Sequence, residues 1–179
     1  MSVALYVFLQ DQDVPSRDEW QGAINAAHLP LILDVFDVRK FAGYLPVELD
    51  GIDTGFEFFF GVVSEIPGVD ALRLAGRDRY VAFVLHSDLT EMKAAMLAAA
   101  TLTEHASGVF FDPQSGEYAE GSDVFAIIRR DEEAEVLRRR RLAEKDANST
   151  NRLCPECGAK CPEYRKTCKV CGYEIGRVG

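Results

Sequence analysis

At 179 residues, 47% of them hydrophobic, the chain has room for one ordinary domain with a real core plus a small appendage. No stretch approaches the roughly 20 apolar residues that a bilayer-spanning helix needs. The formal net charge of −9 is polarised: residues 1–130 carry 20 acidic and 9 basic side chains, whereas residues 149–179 carry 3 and 6. An acidic body of this kind repels phosphate and attracts basic partners, which is not the build of a nucleic-acid binder.

The opening VALYVFL (Val3–Leu9) is β-branched and aromatic and predicts a buried first strand. It lacks a basic n-region and turns acidic at Asp11, so it reads as a strand and not as a secretory signal, which predicts a cytoplasmic protein. Ser16 with Glu19 three residues on is a capping box. Trp20, Ala23, Ile24 and Ala27 then share one helical face, which Pro30 ends. LILDVFDV (Leu31–Val38) predicts a second strand. Two extended runs flank the turn signal Asp50-Gly51, with Phe56, Phe58 and Phe60 facing one way. RYVAFVLH (Arg79–His86) predicts another strand. Asp88 caps the alanine-rich helix that follows, with Glu91 at its third position. Leu89, Met92, Ala95, Met96, Ala99 and Leu102 form its apolar stripe, and Gly108 stops it. GVFFDPQSGEYAEG is a strand entering a turn that Asp112-Pro113 initiates. A charged helix starting at Ser122 or Asp123 loses its core-facing stripe beyond Ala134 and gives way to the polar linker KDANSTNR.

Two main helices among consecutive strands predict an α+β fold, a largely antiparallel sheet with helices on one face. The expected organisation is an acidic α+β domain over 1–130, a charged helix and linker over 131–150, and a small cysteine module over 151–179.

All five cysteines lie between Cys154 and Cys171. Cys154 and Cys157 form one CxxC, Cys168 and Cys171 another, and Gly158 and Gly172 follow them. Two thiolates at this spacing grip one metal where the chain turns sharply, and glycine lets the turn's N–H groups point at sulfur. Four thiolates select zinc over harder cations, and a module of roughly 25 residues needs metal binding to fold. The stretch CPECGAKCPEYRKTCKVCGYEI, with Pro155, Gly158, Pro162 and Gly172 in place, resembles the short zinc-ribbon family often appended to bacterial proteins. That resemblance implies a C-terminal zinc ribbon with a structural Zn2+ on Cys154, Cys157, Cys168 and Cys171. A centre closed by four protein ligands keeps no position for catalytic water. Cys161 departs from the family pattern. It is a bystander, an alternative ligand or a redox-sensitive thiol, and Lys160, Arg165, Lys166 and Lys169 around it favour its thiolate. Tyr164 and Tyr173 are thin support for base stacking.

The body contains no GxSxG elbow, Walker lysine, GxGxxG, HExxH or cysteine nucleophile. His28, His86 and His105 each fall at the end of a predicted element, and the chain is expected not to be an enzyme. ELDGIDTGFEFFFG interleaves Asp50, Asp53 and Glu57 with aromatics. It is either an acidic protein-binding edge, where charge steers and aromatics anchor, or a hairpin turn leading into a core strand. On the first of these readings, FDPQSGEYAEG presents Asp112, Glu117 and Glu120 on the same side. Arg138–Arg141 has Glu135 at pairing distance and reads as a solvated charged helix in preference to a nucleic-acid patch.

The alanine-rich helix at Ala94–Ala106, followed by GVFFDPQSG (Gly108–Gly116), is loosely similar to bacterial immunity proteins that neutralise secreted toxins. The resemblance and the acidic body together lead to the expectation of an inhibitor of a toxin, a basic nuclease, with Asp50, Asp53, Glu57, Asp112 and Glu117 meeting the partner. The alternative is a nucleic-acid-associated regulator or adaptor that uses the zinc ribbon and the basic helix. No membrane partner is expected.

Overall fold

The computed structural model describes residues 3–66, 69–86, 88–148, 151–163 and 165–175. They fall into two compact units, Met1–Arg129 and Arg130–Gly179.

The first unit is built on seven strands: β1 (Val3–Leu9), β2 (Leu31–Leu33), β3 (Ala42–Leu49), β4 (Ile52–Val62), β5 (Arg79–Leu85), β6 (Val109–Asp112) and β7 (Glu117–Glu120). They form one sheet in the order β2-β3-β4-β5-β1-β6-β7, and every neighbouring pair is antiparallel. The mixed α+β class expected from the sequence is therefore the one observed.

Strict alternation along the strands separates two faces. Leu5, Val7, Leu9, Leu45, Val47, Phe56, Phe58, Val81, Phe83 and Phe110 point into the main core. Helices α1 (Arg17–Ala26) and α3 (Leu89–His105) cover that face through Trp20, Ile24 and the buried alanines Ala94, Ala95, Ala98 and Ala99. Small side chains let α3 lie close to the strands. Trp20 is fully buried against Phe36, Phe58 and Phe83. Its Nε1–H is shared between the Ala98 carbonyl and Thr101 Oγ1, both at 3.2 Å, so the indole locks α1 to α3 without an orphaned donor. The first turns of α4 (Asp123–Asn148) add Val124, Ile127 and Ile128 to the same core.

Both helix starts form as their sequences dictate. Ser16 Oγ accepts from the Glu19 N–H while Glu19 Oε2 accepts from the Ser16 N–H at 2.7 Å. The Ser16 N–H and the Ser16 hydroxyl both donate to Glu19 Oε2 and hold that carboxyl below its ordinary range. Asp88 Oδ1 accepts from the N–H groups of Thr90 and Glu91.

Several elements differ from expectation. The second strand stops at Leu33, five residues early, because β2 pairs only with β3 and the chain then leaves the sheet. Its outer edge is satisfied by side chains: Gln21 accepts from the Leu33 N–H and donates to the Leu31 carbonyl, while the Arg17 guanidinium donates to the carbonyls of Leu33 and Asp34. This edge is thereby closed to strand addition. α1 ends at Ala26, with His28 at φ +54°, before Pro30 is reached. The segment after the Asp112-Pro113 turn is a strand, β7, closing a hairpin on β6.

The short helix α2 (Ala71–Leu74) sits against the face opposite α1 and α3. Here Leu74 packs with Phe8 and Val109, and Val63, Ile66 and Val69, with Tyr6, Tyr80, Phe111 and Tyr118, pack against that cluster. The Arg73 guanidinium stacks 4.9 Å over the Tyr118 ring. Residues 63–66 and 69–74 thus roof the β1-β6-β7 half of this second face and reach Tyr80 on β5.

In the second unit α4 continues to Asn148, so the expected linker is helical over Lys145–Asn148; Ser149 and Thr150 lie outside the described residues. The two-stranded hairpin β8 (Asn151–Leu153) and β9 (Lys160–Pro162) follows, with an isolated bridge between Thr167 and Glu174. Among the described residues no helix is long and apolar enough to cross a membrane.

Candidate metal centre and acidic face

Four thiols converge in the second unit. Cys154 Sγ lies 3.7 Å from Cys171 Sγ, and Cys157 Sγ lies 3.6 Å from Cys168 Sγ. All four sulfurs are within 4.8 Å of one another. Sulfurs placed about 2.3 Å from one tetrahedral centre are separated by about 3.8 Å, so the donor set fits a metal ion as it stands. Soft thiolates exclude the hard cations. Cys154 and Cys168 are buried, Cys157 and Cys171 exposed, so each knuckle offers one inner and one outer ligand.

The two knuckles repeat each other bond for bond. The Gly158 N–H donates to the Cys154 carbonyl at 2.8 Å, and the Gly172 N–H to the Cys168 carbonyl at 2.9 Å. The Cys154 N–H donates to the Ala159 carbonyl and the Cys168 N–H to the Tyr173 carbonyl, both at 2.8 Å. Gly158 and Gly172 hold φ of +70° and +74°, the left-handed region that glycine enters without strain.

The backbone prepares charge at sulfur. The N–H groups of Cys171 and Val170 hold the Cys168 thiol down to about 6. At Cys171 the Tyr173 N–H works in the same direction, but burial and the crowding of three neighbouring thiols outweigh it and push the group up to about 12. At Cys157 the Ala159 N–H and the Cys171 thiol favour the thiolate, yet burial and the sulfurs of Cys168 and Cys154 leave it raised as well. Four thiols in this space cannot all ionise without a cation among them.

Cys161 packs in the small core of the ribbon with Cys154, Cys168 and Ile175. Burial, then the neighbouring Cys168, raises its pKa. The expectation that nearby lysines favour its thiolate is therefore corrected: its surroundings are sulfur and aliphatic carbon. Tyr164 lies outside the described residues.

The expected partner-binding carboxylates divide between two faces of the sheet. Asp53 and Glu57 alternate with Phe56 and Phe58 and so stand on the face away from α1 and α3. Asp50 sits beside them in the exposed β3–β4 turn at φ +53°. Asp112 and Glu117 are register partners two residues from core-facing Phe110, which puts them on the helix side. They are also three and four strands from β4. Asp112 is occupied in its own turn, accepting from the Gln114 N–H at 2.8 Å and from Ser115 Oγ–H at 2.7 Å. The five do not make one surface.

The structure adds two residues to the Asp53–Glu57 side. Glu48 is the direct cross-strand partner of Asp53, and Tyr44 that of Glu57. The alternation of Tyr44, Pro46 and Glu48 with core-facing Leu45, Val47 and Leu49 was the signal for them in the sequence. Tyr44 is 58% exposed and Ile32, next to Glu48 on β2, is 52% exposed. The Tyr44 ring lies across Gly55, where an added Cβ would come within 2.4 Å of Tyr44 Cζ. Among the described residues Glu48, Asp53 and Glu57 make no ion pair.

The histidines are dispersed. His28 follows α1, His105 ends α3, and His86 Nδ1 lies 3.1 Å from Glu91 Oε1. On α4, Glu135 binds Arg138 through both oxygens at 2.6 and 2.9 Å and Arg139 at 2.8 Å. Those two guanidinium groups pull the Glu135 carboxyl down to about 2. No protein-family model matches the chain, and no curated protein matches it either.

Proposed function

We propose that the first unit is a protein inhibitor that binds and blocks a basic partner, a nuclease toxin, through its acidic sheet face, and that the four-cysteine centre holds a structural Zn2+ in a reducing cytoplasm. The observation that supports this reading is the β2–β4 part of the sheet, which no element of the first unit covers on this face. Glu48 and Asp53 stand directly opposite each other, a like-charge pairing that costs stability, with Glu57 nearby and no cation paired to any of them among the described residues. Tyr44 and Ile32 supply exposed apolar area between the charges. A nuclease is positive where it holds phosphate, so acidic groups beside a rigid aromatic can occupy its cleft and speed association.

The test is side-by-side capture from the native cytosol with the wild-type chain and with a D50K/D53K/E57K variant. The captured protein is identified by mass spectrometry and assayed for nuclease activity. The expected result is a basic protein held by the wild type, released by raised salt, lost on charge reversal, and inactive while bound. Capture that ignores the reversal, or full nuclease activity in the complex, sinks the reading. For the metal, elemental analysis of the purified chain should give one zinc per molecule, and iron in its place would overturn that assignment.

A second reading has α4 and the ribbon on nucleic acid. It draws on Arg138, Arg141 and Lys145, which line one side of α4. Glu135 already engages Arg138 and Arg139, which reduces the charge of the basic run that is available to phosphate. Binding of residues 131–179 to DNA or RNA with a steep salt slope would favour it.

A further inference from the structure

Two surfaces of this chain match each other in chemistry and size. The first is the bare half of the sheet, with Ile32, Tyr44 and half-buried Phe59 among Glu48, Asp53 and Glu57. Residues 63–66 and 69–74 roof the other half of that face as far as Tyr80 on β5. The second is α4 beyond the core. From Asp131 to Lys145 every residue is exposed except half-buried Glu135. One side of this helix forms a shallow groove of Ala134, Leu137 and Leu142 interleaved with Arg138, Arg141 and Lys145. Among the described residues Arg141 has no ion-pair partner.

The first surface carries apolar side chains with carboxylates, and the second apolar side chains with cations. The dimensions agree: Ala134 to Lys145 is about 17 Å of helix, and Asp53 to Phe59 is about 20 Å of strand. A sheet face binds an amphipathic helix to bury its apolar side chains, which is how α1 and α3 already cover the opposite face. A helix this solvated is marginal alone and gains most of its stability from packing.

We infer that α4 of one copy docks on the β2–β4 part of this face in a second copy, and reciprocally, giving a two-fold dimer. Each interface sets Arg141 of one copy, flanked by Lys145 and by Arg138 in its pair with Glu135, against Glu48, Asp53 and Glu57 of the other, with Leu137 and Leu142 over Tyr44 and Ile32. Cations from the second copy neutralise the repelling Glu48–Asp53 pair. Reciprocal exchange closes the assembly at two copies and doubles the buried area of one helix–sheet contact. The inference goes beyond the inhibitor reading and does not depend on it, although a foreign partner and the second copy would compete for one face.

Sedimentation analysis of the full-length, metal-loaded chain tests it without any partner. The wild type should be a dimer at low salt and shift toward monomer as salt rises. E48K/E57K and R138E/R141E should each weaken self-association by about tenfold or more per lost close charge pair. Mixing these two variants should restore a dimer, because each then meets a complementary surface. Unchanged Trp20 emission in each variant shows that the first unit is still folded, and E57Q with R141Q serve if a reversal fails to fold. A wild type that stays monomeric at every concentration overturns the proposal. So does a dimer indifferent to both reversals, or a mixture of the two variants that fails to associate.

Discussion

Replacing Gly158 or Gly172 by alanine tests whether the backbone turns, and not the thiols alone, set metal affinity. The two residues hold φ of +70° and +74°, and a Cβ built at either meets nothing within 4 Å. The substitution therefore causes no clash and acts on the backbone alone, forcing an L-residue into the left-handed region at a cost of roughly 1–2 kcal/mol. The bound state needs both turns, since each directs its glycine N–H back to the first cysteine of its knuckle. The metal-free chain can relax, so the cost falls on binding. Each alanine should weaken affinity by about 5- to 30-fold. Because the knuckles repeat, the losses at 158 and 172 should be equal and should multiply in the double variant. Competition for Zn2+ with a chromophoric chelator reads the constant. Gly76→Ala is the control, with φ +82° and equal open space in the first unit. It should lower the thermal midpoint and leave metal affinity alone. Undiminished affinity in both single variants, or a loss at one knuckle only, would refute the argument.

Metal removal should act on one unit. Chelation is expected to expose the chain after Leu153 to protease while the emission of Trp20, the single tryptophan and fully buried in the first unit, stays constant; a shift in that emission would contradict it. Metal loading should release protons. At pH 7 the raised thiols of Cys157 and Cys171 are protonated and must each surrender one, whereas Cys168, held at about 6, surrenders its proton only in more acid solution. Apparent affinity therefore falls as pH falls and steepens below about 6, which calorimetry in buffers of different ionisation enthalpy can check; affinity flat between pH 5 and 8 would contradict it. Gly55→Ala should destabilise the first unit by about 1–3 kcal/mol. Its Cβ would meet Tyr44 Cζ at 2.4 Å and the Leu45 carbonyl oxygen at 2.6 Å. Adding Tyr44→Ala should recover only part of the loss in urea unfolding, because the carbonyl contact remains. Full recovery would show that the ring alone was responsible.

What the sequence disclosed was local. Ser16 with Glu19 and Asp88 with Glu91 announced helix starts because capping is a bond between near neighbours. The four ligand cysteines were equally legible, since a CxxC turn carries its own geometry. LILDVFDV has strand composition throughout, whereas the length of β2 is set by its pairing with β3 alone. EYAE carries no strong strand signal, because β7 owes its conformation to pairing with β6. The division of the carboxylates was within reach. Asp112 lies two residues from Phe110, and Asp53 three from Phe56, so alternation already assigned them opposite faces. That Glu48 would stand beside Asp53 needed the register of a hairpin, which composition does not contain.

The middle place of β1 in the sheet has a consequence for biosynthesis. Its two neighbours are β5 and β6, which leave the ribosome roughly 70 and 100 residues after it. At about 5–20 residues per second, Val3–Leu9 waits several seconds with both edges open. VALYVFL carries no charge, proline or glycine, the composition that most readily pairs with strangers. The nascent chain is therefore most vulnerable before Asp112 emerges, and chains halted short of that residue present an uncapped hydrophobic strand. The acidic turns and loops made in that interval, from Asp11 to Asp88, keep such intermediates apart by mutual repulsion.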